Sequence, residues 1–202
     1  MGETTLAVAH IIGGGPSVQG LNLSRLPGTV IGVNDSFFNT RCDYVVSIDG
    51  RWMRHRWEKL KACDAPAWLR KDSFEKHVGL QRAWPSLTVA QCKVFENGVG
   101  TGLDCLHGNN SGLVALNFAY WKGFRKIFLY GFDMGFAGTK KHWYEEYEWA
   151  AKGCNMYPAF ILQFKSVAKI LEEDGIKVFN VSPGSKLDCF EKVTYEQAQN
   201  YF

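Results

Sequence analysis

Short apolar runs that alternate with helical patterns are the feature that most narrows the folds open to this 202-residue chain. Each run is of strand length and is bounded by glycine, proline or polar residues, which is typical of buried strands. The runs lie at residues 6–12, 29–33, 44–48, 67–69, 93–95, 126–130 and 177–180. Strands separated by helices pair in parallel, and the helices cover both faces of the sheet. The sequence therefore predicts one α/β domain over residues 1–202 with a mostly parallel sheet.

Helix signals lie between these runs. Ser111 is a candidate N-cap, and Gly123 marks the end of the helix that it begins. Thr194 and Gln197 have the spacing of a capping box for a last short helix. The other predicted helices cover residues 51–62 and 158–173.

One long stretch, residues 131–155, is aromatic and charged and fits neither pattern. A loop of this length in a compact domain is more often a binding loop or a lid than a plain connection. We therefore expect a lid-like insertion around residues 131–155.

Composition limits the classes of partner. The formal net charge is +3 and the basic residues form no long run, so nucleic-acid binding is not indicated, while an anionic ligand is allowed. The six cysteines are scattered, and neither a signal peptide nor a membrane-spanning run is recognisable. We expect a cytoplasmic protein with free thiols. The protein could form a homo-oligomer, because sheet enzymes of this size often do.

A glycine-rich turn, Gly13-Gly14-Gly15-Pro16-Ser17, follows the first run. Such a turn lets the backbone approach a ligand, and its N–H groups can hold phosphate oxygens. It is not a Walker A loop, because no Gly-Lys-Ser/Thr follows. A dinucleotide fingerprint is incomplete because Val18 stands at the third glycine position, although Asp35 could be the ribose-binding acid of a nicotinamide site. A purely structural turn is the remaining alternative.

Polar residues recur where the predicted strands end. Open α/β sheets build ligand sites at the carboxyl ends of their strands, although such residues also cap turns and helices. The segment around Ser111 additionally opens a helix, whose N-terminus suits a phosphate or carboxylate. The candidate binding residues are Gly13, Gly14, Gly15, Ser17, Asn34, Asp35, Asp49, Asn110, Ser111, Gly112, Gly131 and Asp133.

His142 is the strongest candidate for a catalytic base, because it lies in the predicted lid and histidine can remove a proton near neutral pH. A solvated surface histidine is the alternative, and His107 is the second candidate base. Asp49 and Asp133 could share a magnesium ion, although no metal-binding motif is present.

The ordered motifs resemble those of the bacterial sialyltransferases of glycosyltransferase family 42. That family has a Gly-Asn-Gly-Pro-Ser turn, a Ser-Arg-Leu-Pro segment and a Cys-Asn followed by aromatic residues. The similar segments here are residues 13–17, 24–27 and 33–38, followed by Ser111-Gly112, residues 123–129, Gly131-Phe132-Asp133 and Ser182-Pro183. The glycine-proline-serine opening also occurs in a wider group of proteins related to pterin diphosphokinases.

The resemblance implies a Rossmann-like fold and an enzyme that uses a cytidine-monophosphate-linked sugar without an obligatory metal. It implies that Gly13, Gly15 and Ser17 line the phosphate and that Asn34 contacts the nucleotide. Ser111 and Gly112 would hold the phosphate or sugar, and Gly131 and Asp133 the base and ribose. His142 would be the base on the acceptor hydroxyl, with Tyr144 and Tyr147 stabilising the departing phosphate. The acceptor is left open.

Two departures from the family pattern keep alternatives in view. Gly14 replaces the asparagine of the family's turn, and Asp49 replaces an asparagine at the end of the third strand. A carboxylate repels phosphate unless it is protonated or bridged by a cation. A magnesium-dependent diphosphokinase-like phosphotransferase and a non-catalytic nucleotide-binding protein are therefore the alternatives to a transferase.

Overall fold

The computed structural model describes residues 7–79, 86–135, 142–143 and 155–201. These residues form a nine-stranded sheet in the order β6-β5-β4-β3-β2-β1-β7-β8-β9. Every pairing between its strands is parallel, as expected. The strands are β1 (Val8–Ile12), β2 (Thr29–Val33), β3 (Tyr44–Ser47), β4 (Ala67–Arg70), β5 (Leu87–Lys93), β6 (Cys105–His107), β7 (Lys126–Tyr130), β8 (Lys177–Asn180) and β9 (Glu191–Lys192).

The strand order reverses direction at β1. Successive strands from β1 to β6 extend to one side, and β7 then pairs with the other edge of β1, with Ile12 opposite Tyr130. Loops that leave such a reversal point part to opposite sides and open a crevice at the carboxyl ends of the two strands. The topology therefore places the principal binding site beside the ends of β1 and β7.

Five helices accompany the strands in the described residues: α1 (Gly50–Lys61), α2 (Lys71–His77), α3 (Ser111–Trp121), α4 (Tyr157–Glu173) and α5 (Tyr195–Gln199). They cover both faces of the sheet. Ile11 belongs to the apolar cluster that contains Leu116 of α3 and Phe164 of α4, whereas its neighbour Ile12 belongs to the cluster that contains Ala198 of α5. Because successive side chains of a strand point to opposite faces, the two clusters lie on opposite sides of the sheet. No helix in the described part of the chain is long and apolar enough to cross a membrane.

The central strands match the predicted runs, and the edges do not. A strand predicted at residues 93–95 is wrong: β5 ends at Lys93, and β6 and β9 had no predicted counterpart. The edge strands β6 and β9 are short, and β5 beside β6 alternates between exposed and half-buried residues around a single buried one, so these strands lack a buried apolar run. The capping box of Thr194 and Gln197 is present at α5.

Ser111 is not the N-cap of α3. Asn110 takes that position, and its side-chain oxygen accepts a hydrogen bond from the N–H of Leu113 at 2.9 Å. The hydroxyl oxygen of Ser111 instead accepts from the N–H of Ile48, 3.1 Å away, at the end of β3. This bond ties the start of α3 to the carboxyl edge of the sheet.

Candidate active site

A crevice of ≈ 580 Å³, open to solvent, lies at the carboxyl ends of β1 and β7. Five parts of the described chain form its walls: the turns after β1, β2 and β7, and the starts of α3 and α4. His142 contributes to the rim. The lining residues are Gly13, Gly14, Gly15, Val33, Asn34, Asn110, Ser111, Gly112, Gly131, Phe132, Asp133, Met134, Gly135, His142, Tyr157 and Phe160. The crevice therefore brings together nine of the twelve residues predicted to bind the donor, and His142.

The glycine-rich turn packs tightly against the turn after β7. The N–H of Gly13 donates to the carbonyl of Tyr130 at 2.7 Å, and the N–H of Gly15 donates to the carbonyl of Gly131 at 2.8 Å. A methyl group on Gly15 would lie 2.5 Å from the Gly131 oxygen, so a side chain does not fit. The expected phosphate cradle of glycine N–H groups is thus partly wrong, because two of these three donors already have acceptors inside the protein.

The start of α3 offers two backbone donors to the crevice. Asn110 satisfies the N–H of Leu113, and the N–H groups of Ser111 and Gly112 make no hydrogen bond within the described chain. Unsatisfied N–H groups at the positive end of a helix favour an anion. The crevice therefore has a site for phosphate or carboxylate oxygens at this helix end.

Asn34 adds a buried polar group to the crevice. Its side-chain oxygen is buried, and no described residue donates a hydrogen bond to it. The residue has φ +51°, a left-handed conformation that asparagine tolerates, and Met134 across the crevice has φ +49°. A buried acceptor without a donor costs about 1–3 kcal/mol, which a ligand N–H or O–H would offset. Backbone strain of this kind clusters at functional sites.

Asp133 carries the crevice's carboxylate and belongs to a hydrogen-bond network. Its oxygen accepts from the Ser17 hydroxyl at 2.9 Å, and the Ser17 and Ser182 hydroxyl oxygens lie 2.8 Å apart. Burial raises the pKa of Asp133 above its usual value, and the hydrogen bonds from Ser17 oppose that rise. Ser17 does not line the crevice itself: it supports Asp133 from behind.

Asp35 and Asp49 do not line the crevice, contrary to the expectation from their strand-end positions. The Asp35 carboxylate is buried, accepts from the indole N–H of Trp52 at 2.6 Å and pairs with the Arg56 guanidinium at 2.9 Å. The Asp49 carboxylate accepts from the N–H groups of Arg51 and Trp52 and caps α1. Both carboxylates hold α1 against the sheet, which explains their presence at strand ends.

His142 lines the crevice, and its neighbour Trp143 is fastened to the glycine-rich turn. The backbone N–H of Trp143 donates to the Gly14 carbonyl at 3.0 Å, and its indole N–H donates to the Gly13 carbonyl at 3.2 Å. Tyr144 and Tyr147 lie outside the described residues. His107 does not line the crevice, and its Nδ1 lies 2.7 Å from the Asn97 carbonyl.

The apolar wall of the crevice was not predicted. Phe132 and Met134 belong to the turn after β7, and Tyr157 and Phe160 belong to the first turn of α4. The Phe132 ring would lie 2.8 Å from a methyl group on Gly112, so that glycine lets the helix start approach the turn. Phe132 and Met134 could have been predicted as lining residues, because they lie beside the candidate binding residues Gly131 and Asp133. No motif near the start of α4 indicates that its first turn lines the crevice.

No group of three histidine, cysteine, aspartate or glutamate side chains in the described ranges is arranged to hold a metal ion. The five cysteines in those ranges are free thiols, as expected.

The fold is similar to that of sialyltransferases from Campylobacter jejuni. The monofunctional α-2,3-sialyltransferase Cst-I is 14% identical with a TM-score of 0.60, covering 94% of this chain and 81% of Cst-I. CstII in complex with the substrate analogue CMP-3FNeuAc is 15% identical with a TM-score of 0.56, covering 94% and 86%. CstII with a trisaccharide acceptor and CMP is 15% identical with a TM-score of 0.54, covering 91% and 84%.

By sequence, no family model and no curated protein matches the chain. At 14–16% identity the structural likeness concerns the fold. The Rossmann-like fold and the resemblance drawn from the ordered motifs are confirmed at that level.

Proposed function

We propose that the protein is a glycosyltransferase that uses a nucleotide-sugar donor, with a CMP-linked sugar such as CMP-sialic acid favoured. The observation that carries this proposal is the crevice itself. It joins the two unsatisfied N–H groups of Ser111 and Gly112 to the unpartnered buried oxygen of Asn34. The N–H groups suit an anion, and the Asn34 oxygen suits an N–H or O–H group on a base or sugar. The structural neighbours bind CMP and a CMP-sugar analogue in their crystals.

The proposed reaction is a direct displacement at the anomeric carbon of the sugar. The acceptor oxygen forms a bond to that carbon while the bond to the donor's phosphate oxygen breaks, and the acceptor proton passes to His142. The phosphate leaves with the bonding electron pair, and the N–H groups of Ser111 and Gly112 stabilise its charge. Tyr144 and Tyr147 stay proposed as further phosphate contacts.

Aromatic side chains give the crevice a second, apolar side. Tyr157 and Phe160 lie at the start of α4 with their ring centroids 6.3 Å apart. Such rings can stack on a base or on the apolar face of a sugar. We assign this side to the sugar or base of the donor, because the polar side is occupied by the proposed phosphate contacts.

Thermal stabilisation by a nucleotide panel tests the donor class. The panel contains cytidine, CMP, CMP-sialic acid, UMP, AMP and ATP, each with magnesium and with EDTA. A ligand at about 100 times its Kd adds about 2.7 kcal/mol of stability, which raises Tm by about 5–10 °C in a domain of this size. Stabilisation by the CMP compounds in EDTA supports the proposal. Stabilisation by ATP alone, and only with magnesium, would replace it with the diphosphokinase-like alternative.

A pair of histidine variants tests the base. His142→Asn should lower kcat by about 10²-fold or more while the donor Kd is kept, because only proton removal from the acceptor is lost. His107→Asn is the matched control, since His107 lies outside the crevice lining, and it should keep the wild-type kcat. The opposite pattern would assign the base to His107. Donor binding without turnover in the wild type would leave the nucleotide-binding protein as the function.

A further inference from the structure

The described lining of the crevice contains no cationic side chain of lysine or arginine to match its proposed ligand. Its lining in the described chain contains the Asp133 carboxylate and neither lysine nor arginine. A nucleotide-sugar carries a negative phosphate, and an acidic sugar adds a carboxylate. The end of a helix supplies only about half an elementary charge. A complementary side-chain cation is therefore expected close to the rim.

Lys186 is anchored to the wall of this crevice by its backbone. Its N–H donates to the Asp133 carbonyl at 2.9 Å. The preceding residue, Ser185, is buried, and its hydroxyl donates to the Phe132 carbonyl at 2.5 Å. Two consecutive residues of the loop after β8 thus hold two consecutive residues of the crevice wall, so the Cα of Lys186 has a defined position beside the site.

The side chain of Lys186 runs alongside Gly135, which lines the crevice. A methyl group on Gly135 would lie 3.5 Å from Lys186 Cε and 3.7 Å from Cδ. The ammonium group is bonded to Cε and is therefore within reach of the rim at Gly135. Within the described ranges no carboxylate pairs with Lys186, whereas Lys165 and Lys169 of α4 pair with Asp188 and Glu173.

We propose that Lys186 binds an oxyanion of the donor, either its phosphate or the carboxylate of an acidic sugar, and so helps to select an anionic donor. The proposal rests on the proposed function of the same crevice. Lysine suits this task because its ammonium is a compact charge on a flexible stem that reaches from the rim. Neither charge pattern nor spacing pointed to this residue, because it follows β8 and is brought to β7 only by folding.

The test compares Lys186→Met with wild type by calorimetric titration of cytidine, CMP and CMP-sialic acid, and of UMP and AMP as other nucleoside monophosphates. The variant keeps the backbone bond to Asp133 and the length of the side chain. If Lys186 contacts the phosphate, CMP and CMP-sialic acid should both bind about 10-fold more weakly, and cytidine should be unchanged. If it contacts the sugar carboxylate, only CMP-sialic acid should weaken. The loss should shrink at about 1 M salt, where the screening length is about 3 Å.

Lys169→Met is the matched control, because it removes one exposed lysine charge from α4, where Lys169 lies near Glu173. It should leave every affinity unchanged. Equal affinities of wild type and Lys186→Met for every anionic ligand that the wild type binds, CMP-sialic acid included, would overturn the role of Lys186 and leave the proposed function standing. Binding of UMP or AMP in place of CMP would overturn the donor class while still testing Lys186. Failure of the wild type to bind any of them would overturn both.

Discussion

Mild acid should destabilise this protein through His10, which lies at the centre of β1. The residue is fully buried, its ring stacks on Phe128 at a centroid distance of 5.4 Å, and its Nδ1 lies 3.2 Å from the Tyr130 hydroxyl. The pKa of His10 is lowered to about 4, chiefly by burial; a hydrogen bond with the Pro27 backbone opposes this shift, and the nearby charge of Arg41 adds to it. The folded protein therefore keeps this imidazole neutral at pH values where the unfolded chain is protonated.

The sign and size of the effect follow from proton linkage. Because the folded pKa is depressed, the unfolded state binds more protons between pH 6.5 and about 4, and stability falls as pH falls through this window. Each pH unit below 6.5 costs about 1.4 kcal/mol, so His10 alone should remove about 2 kcal/mol of the free energy of unfolding at pH 5. Above pH 6.5 His10 costs the folded state no stability, and below about pH 4 the cost does not increase further.

Urea denaturation of wild type and His10→Asn at neutral pH and at about pH 5 measures the effect. The variant starts less stable, because it loses the ring stacking, but its free energy of unfolding should fall by about 2 kcal/mol less over this interval. The difference between the two slopes isolates His10 from the carboxylates, which both proteins share. Parallel pH profiles, or an NMR titration that protonates His10 near pH 6.5 in the folded protein, would refute the reasoning.

Two further predictions concern the glycine-rich turn. Gly15→Ala should lower the free energy of unfolding by about 1–3 kcal/mol, and with it Tm, because its methyl group forces apart two turns that form the crevice. For the same reason it should weaken donor binding at least about 10-fold. Gly184→Ala, whose methyl group would meet no atom within 4 Å, should change neither quantity in the same melting and titration measurements, and equal effects of the two changes would contradict this account. Trp143→Phe keeps an aromatic ring but loses the indole hydrogen bond to Gly13, so His142 should be less well positioned. We expect kcat to fall about 10-fold with donor Kd unchanged, and an unchanged kcat in a steady-state assay would show that this bond does not position the base.

Sequence patterns captured the central sheet because buried parallel strands are continuous apolar runs, as in β1 and β7. They failed at β5, where exposed and half-buried residues alternate around a single buried one, and at the two-residue β9. These strands lie at or next to an edge of the sheet and have many solvent-exposed residues, so their hydrophobic signal is weak. The helices with glycine or proline at their ends were located to within one or two residues.

Two adjacent residues of the candidate site show what the sequence predicts and what depends on folding. Strand-end polarity selected Asn34 and Asp35 together, but only Asn34 lines the crevice. Asp35 points to Trp52 and Arg56 of α1, contacts that exist only once α1 packs on the sheet. The backbone direction at each position, including the left-handed φ of Asn34, depends on such packing.

The sequence by itself determined the parallel α/β architecture, the glycine-rich turn and the set of strand-end residues from which the site is drawn. These depend on periodicity and local conformation, which a short stretch of chain carries. Only the tertiary structure decided which side chains face the crevice, because that requires partners distant in the chain. Ser17 and Asp133 are 116 residues apart, and the backbone of Lys186 is held beside the crevice wall by its hydrogen bond to Asp133. The topological reversal between β1 and β7 creates these neighbours, and no local pattern encodes it.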